Sequence, residues 1–149
     1  MKNIIIEKNR VSIPCQRKVV AEIIQRVIVN MQNYVFSDAI RRALHEDGDF
    51  NVAAVDDTQQ VVEQCVLLTA NLVLMEVTGY TPWKLEERLK IRDELRRSVP
   101  DCKIVLIVDE KAEKQIAKQV KQAKQDGLID FFVYGSTSAS YLTALLDTL

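Results

Sequence analysis

The sequence predicts an α/β fold, a three-layer, doubly wound, five-stranded parallel sheet with helices on both faces, preceded by an N-terminal extension. Two observations carry this. From Arg26 onward short apolar runs alternate strictly with amphipathic stretches, the signature of successive βαβ units rather than of a bundle or a sandwich. The runs are also almost continuously apolar, as strands covered on both faces are, where a half-exposed antiparallel strand would alternate. A 149-residue chain with 48% apolar and 28% charged residues can bury one core of this size.

The strand runs in order are Val27-Ile28-Val29, Val52-Ala53-Ala54-Val55, Leu72-Val73-Leu74-Met75, Ile104-Val105-Leu106-Ile107-Val108 and Phe131-Phe132-Val133-Tyr134. Between the first two, Phe36, Ala39, Ile40, Ala43 and Leu44 recur at helical spacing, and Asp47-Gly48 is the stop. Asp57 or Thr58 can cap the second helix, with Val61, Val62, Cys65 and Leu68 turned inward. The third spans about Pro82 to Arg97, with Pro82 in its first turn, Leu85, Leu89 and Leu95 inside, and Glu86 to Lys90 paired on the wet side. The fourth, from about Glu110 to Gln125, buries Ala112, Ile116, Val120 and Ala123 and ends at Gly127. The fifth starts near Ser138 and buries Tyr141, Leu142, Leu145 and Leu149.

Residues 26–149 form this domain and residues 1–25 the extension. The extension holds Ile4-Ile5-Ile6, Val11-Ser12-Ile13 and a helical pattern in Val19, Val20, Ile23 and Ile24, so it is expected to dock on its own domain or on a second copy. Lys and Arg number 20 against 21 Asp and Glu, so a net charge of −1 offers no general attraction to nucleic acid or to an anionic membrane. No apolar run approaches the roughly 18 residues of a membrane span, and the opening Ile4-Ile5-Ile6 meets Glu7 too early for a signal peptide. The expectation is a cytoplasmic protein. Cys15, Cys65 and Cys102 lack metal-ligand spacing and read as reduced packing residues, and the single His45 reads as a surface group at a helix end.

The order of landmarks resembles the receiver domains of bacterial two-component response regulators, particularly those attached to helix-turn-helix transcription factors. It is carried by Arg26-Val27-Ile28-Val29, Phe36 to Leu44, Glu46-Asp47-Gly48-Asp49-Phe50, Ala70 to Val77 and Val99 to Leu106, and spans about five-sixths of the chain. The resemblance implies strand order 2-1-3-4-5 and a crevice at the carboxyl ends of strands one, three, four and five. In the family an acidic pair after strand one holds Mg²⁺, an Asp ending strand three accepts the phosphoryl group, and a Ser or Thr and a Lys after strands four and five clasp it. Here Met31 and Gln32 fall at the acidic pair, Glu76 at the acceptor, Val108 at the hydroxyl and Gly135 at the lysine. The resemblance therefore implies a degenerate pocket without metal, cofactor or catalysis. Glu76 reads as a structural remnant facing the crevice, or else as a built-in mimic of the phosphorylated state whose partners, a cation and a hydroxyl, are missing.

The remaining candidates have plainer explanations. Asp56-Asp57 is a turn and cap rather than a metal pair. Lys111, Lys114, Lys118 and Lys121 form a stripe on the fourth helix, solvated or else a docking face for an acidic partner. Phe132 and Tyr134 are placed on alternate sides of the last strand in a static packing role. Trp83, beside the crevice loops, is a candidate lid or partner contact. The leading function is a pseudo-receiver acting in signal transduction or transcription regulation by phosphorylation-independent contact with protein, either a homodimer or an output domain, without direct nucleic-acid or membrane binding. The alternatives are a flavodoxin-like cofactor or anion binder, weakened by a first loop, Asn30 to Tyr34, without glycine, and a weakly active receiver using Glu76.

Overall fold

The computed structural model describes residues 24–149. Five strands, β1 (Gln25–Asn30), β2 (Phe50–Ala54), β3 (Leu72–Val77), β4 (Lys103–Val108) and β5 (Phe131–Tyr134), pair in parallel in the order β2-β1-β3-β4-β5. The register sets Val27 beside Val52 and Leu72, and Val77 beside Val108. The crossovers are α1 (Tyr34–Asp47), α2 (Val61–Leu68), α3 (Leu85–Ser98), α4 (Lys114–Gln125) and α5 (Ala139–Leu146). Because strand side chains alternate in direction, the sheet carries two cores. Ile28, Val73, Met75, Ile104, Leu106 and Val108 pack with α2, α3 and α4 on one face, and Val27, Val29, Leu72, Leu74, Val105 and Ile107 pack with α1 and α5 on the other.

The helix ends follow local chemistry. Asn33 caps α1 by accepting from the Phe36 N–H at 3.1 Å, and Gly48, at φ 82°, closes it in a left-handed conformation that a side chain would strain. Asp57 accepts from the Gln59 N–H at 2.9 Å and opens a single 3₁₀ turn that runs into α2, and Ser138 caps α5 through the Tyr141 N–H. Cys65 and Cys102 lie fully inside one core as free thiols. The hydrogen bond between them, then burial, push the Cys65 thiol up, which keeps it protonated. Cys15 and the expected strands and helix before residue 24 lie outside the described residues.

Several helix faces are turned relative to the sequence expectation. On α1 Ser37 is buried where Ala39 was expected, and Ala39 is exposed. On α2 Leu68 is exposed, because the inward face closes with Val61 and Cys65. Helix α3 begins at Leu85, so Pro82 stands in the preceding turn, and Lys90 pairs with Glu87 at 3.6 Å rather than with Glu86. Helix α4 begins only at Lys114, since Asp109 Oδ1 holds a turn by accepting from the Lys111 and Ala112 N–H groups. Ala112 is therefore exposed and Ala117 takes the buried position. Tyr141 is 62% exposed, and α5 packs through Leu142 and Leu146.

Candidate functional site

The carboxyl ends of β1, β3, β4 and β5 open into a crevice of about 340 Å³ lined by Met31, Phe36, Glu76, Val108, Asp109 and Gly135, among others. It lies where the sheet order reverses between β1 and β3, the position at which open α/β sheets expose a site. Four of the five positions singled out in the sequence, Met31, Glu76, Val108 and Gly135, line it together. Gln32 takes part through its backbone alone. Met31 and Val108 are buried and apolar, and the Gly135 N–H donates to the Val108 carbonyl at 2.8 Å.

Glu76 is the polar centre of this crevice. Its Oε1 accepts from the Gln32 N–H at 2.6 Å and the Asn33 N–H at 3.1 Å, so the loop after β1 closes on the carboxylate. Short bonds from backbone N–H to a carboxylate are charge-assisted, and they spend the donors with which such a loop would hold an anion. A cation that the sequence reading did not place here stands near Glu76. The fully buried Arg88 of α3, at 0% exposure, lies behind Glu76 and supplies a positive charge.

Arg88 joins the ends of β1 and β3. Its Nε donates to the Glu76 carbonyl at 2.8 Å, Nη1 to Asn30 Oδ1 at 2.6 Å and Nη2 to the Asn30 carbonyl at 3.3 Å. Asn30, also fully buried, donates through Nδ2 to the Val55 carbonyl at 2.6 Å and carries the network to β2. The Trp83 ring lies over the guanidinium at 4.9 Å, a cation–π contact strengthened by the full burial of Arg88. Burial pushes the Arg88 pKa down to about 10 against the opposing pull of Glu76, which leaves it charged at neutral pH. The fork geometry explains the choice of Arg, because a lysine could not address Asn30 and the Glu76 carbonyl together.

The other candidates are dispersed. Lys114, Lys118 and Lys121 are exposed along α4, but Lys111 falls in the turn before it, so the stripe is shorter than expected. Phe132 and Tyr134 share one side of β5, as residues two apart on a strand must, and meet edge to face at 5.6 Å. Ser136 donates to Glu110 Oε2 at 2.5 Å, which holds the Glu110 carboxyl below its ordinary range.

Among the described residues, one trio of carboxylates, Asp47, Asp49 and Asp147, brings its oxygens within 4.8 Å of one another, at the end of the domain opposite the crevice. Burial, then Asp47 and Asp49, hold Asp147 above the usual carboxylate range. The folded state thus binds this proton more tightly than the unfolded chain, so the ionised form opposes folding. Asp147→Asn is expected to raise stability at neutral pH by roughly 0.5 kcal/mol, discounted for exposure. Denaturant titrations should show the gain shrinking as pH falls through the range in which Asp147 takes up its proton.

Comparison with known proteins defines the class of this fold. No family model and no curated protein matches the chain. Solved structures do match. A response regulator from Thermotoga maritima aligns with TM-score 0.68 at 19% identity over 83% of this chain and 95% of that one. A DNA-binding response regulator of the LuxR family from Staphylococcus aureus aligns with TM-score 0.65 at 17% identity over 83% and 97%. A member of a family of streptococcal redox sensors evolved from two-component response regulators aligns with TM-score 0.68 at 12% identity, over 83% of this chain and 50% of that one. The chain therefore has the receiver fold.

Sequence reasoning missed Arg88, Asn30 and Asp109. A signal for the first was present. Leu85, Arg88, Arg92 and Leu95 are spaced i, i+3, i+7 and i+10, so two arginines interrupt an inward stripe, and Arg92 likewise donates inward to the Leu128 carbonyl at 2.8 Å.

Proposed function

We propose that this chain is an atypical receiver module of a signalling or transcription-regulating system, working by protein–protein contact that does not depend on phosphorylation. The observation that carries the reading is the Glu76 carboxylate bound by the Gln32 and Asn33 amides, with Arg88 beneath it. A receiver needs an acceptor carboxylate free to attack, a divalent cation held by neighbouring acids, and a hydroxyl and a cation to clasp the product. In this crevice the acceptor position is occupied by a longer carboxylate already bonded on Oε1, and Met31, Val108 and Gly135 supply neither ligand nor clasp. The same two bonds argue against a flavodoxin-like phosphate site, since the loop donors are engaged by the protein itself. The streptococcal neighbour, described as a redox sensor evolved from response regulators, is one case of this fold in another role.

The contact surface of this reading is α4, β5 and α5, with Lys114, Lys118 and Lys121 on the first, Tyr134 on the second and Tyr141 on the third, all exposed. The partner is a second copy or an output domain. Light scattering over a concentration series tests this. Association is expected to be unchanged by acetyl phosphate with Mg²⁺ and weakened roughly tenfold by Tyr141→Asp, as for a contact aromatic. Association that appears only with the phosphodonor would overturn the proposal.

A further inference from the structure

The crevice combines apolar walls with charge of one sign. Met31, Val35, Phe36, Ala39, Ile107 and Val108 give it apolar sides. Its charged groups are two carboxylates, Glu76 and Asp109, and among the described residues no lysine, arginine or histidine lines it. Glu76 pairs in register with Ile107, two residues before Asp109, so the carboxylates rise from adjacent strand ends. Backbone fixes both of them. Glu76 Oε1 accepts from the Gln32 and Asn33 amides, and Asp109 Oδ1 from those of Lys111 and Ala112. Among the described residues, Glu76 Oε2 and Asp109 Oδ2 accept no hydrogen bond. Arg88 offsets part of the charge from behind Glu76, but its bonds run to Asn30 and to the Glu76 carbonyl, so it donates nothing into the crevice.

Charge complementarity selects a cation, and the walls select an organic one. A hard divalent ion such as Mg²⁺ keeps most of its waters, and here it would press that shell against apolar side chains. The Asn33 side-chain oxygen is engaged by the Phe36 N–H and adds no ligand. An alkyl or aromatic ammonium instead covers the apolar walls with its own carbon body and brings donors to both free carboxylate oxygens. The volume of about 340 Å³ has room for one ring or a short branched chain. We infer that the crevice binds a small organic ammonium, its head on Glu76 and Asp109 and its body against Phe36 and Met31. Such a site rests on the reading proposed above, because a phosphoryl group on Glu76 would consume one of the two carboxylates.

Phenethylamine is the probe, titrated into the full chain and followed by the backbone amide shifts of Gln32, Asn33, Asp109 and Gly135. A saturable change is expected with a Kd on the order of 1 mM, the scale for a fragment of this size. The uncharged analogue 2-phenylethanol should bind roughly tenfold or more weakly, and so should the amine to Glu76→Gln and to Asp109→Asn, each of which removes one charged acceptor. Both substitutions keep an oxygen for the backbone amides, so the loops stay in place. Gly135→Lys should abolish the effect of the amine by tethering an ammonium in the same space. A Cβ there comes no closer than 3.5 Å to Asp109 Cα, so the side chain is accommodated. Equal affinity for alcohol and amine, no saturable change up to about 10 mM amine, or unchanged affinity in Asp109→Asn would overturn the inference. Mg²⁺ producing the same shifts would overturn it in favour of a metal site. Intact mass after acetyl phosphate, measured without the amine, separates the two failures: a phosphoryl gain sinks the underlying reading, and an unbound amine without that gain sinks the ammonium site alone.

Discussion

Arg88→Ala is expected to lower the stability of the domain by about 3–5 kcal/mol, the cost of breaking a buried ionic network from one side. Among the described residues the guanidinium is the one donor to Asn30 Oδ1, and it also donates to the carbonyls of Asn30 and Glu76. Its removal takes the guanidinium donor from buried Asn30 Oδ1 and one bond from each of the Asn30 and Glu76 carbonyls, opens a cavity under Trp83 and takes the cation from behind Glu76. Arg88→Lys should recover only part of the loss, because one ammonium group cannot reproduce the fork. Chemical denaturation of the three proteins checks the order. Given total stabilities of roughly 5–15 kcal/mol, a loss of this size is measurable and large, and a near-neutral Arg88→Ala would mean that Arg88 does not join β1 to β3 as described.

Glu76→Ala should cost about 2–3 kcal/mol, less than two full charge-assisted bonds because the site is half exposed. Its larger effect is local. The Gln32 and Asn33 amides lose their acceptor, so hydrogen exchange there should rise by an order of magnitude or more while β3 and β4 stay protected. Glu76→Gln keeps an acceptor oxygen and should lie in between. If exchange at Gln32 and Asn33 is the same in all three proteins, Glu76 does not pin the loop.

The strands and their order were legible because each is a short, nearly unbroken apolar run between helical periods, and a parallel sheet buried on both faces leaves that mark. The crevice was legible as a set of departures from a known pattern at Met31, Glu76, Val108 and Gly135, whose places follow from the ends of the strands. What fills the gap was not. Arg88 sits twelve residues after Glu76 on a helix whose rotation is decided by packing, and a charged residue in an inward stripe is ordinarily placed on the wet side. Helix rotation also accounts for Ala39, Leu68 and Tyr141, each on a helix where a polar or small residue shared the inner face. The two bonds to Glu76 come from backbone N–H groups, which every residue has, so no side-chain pattern announces them.

Intact mass measured after incubation with acetyl phosphate and Mg²⁺ bears most directly on the crevice, for the unaltered chain and for Glu76→Asp. The shorter carboxylate restores the acceptor residue type but withdraws by about 1.5 Å from the Gln32 and Asn33 amides and still faces Met31, Val108 and Gly135. Neither protein is expected to gain a phosphoryl group, and neither should show a saturable Mg²⁺-dependent change at the crevice. A mass increase of one phosphoryl group that saturates at a single site, lost on Glu76→Gln, would contradict the account.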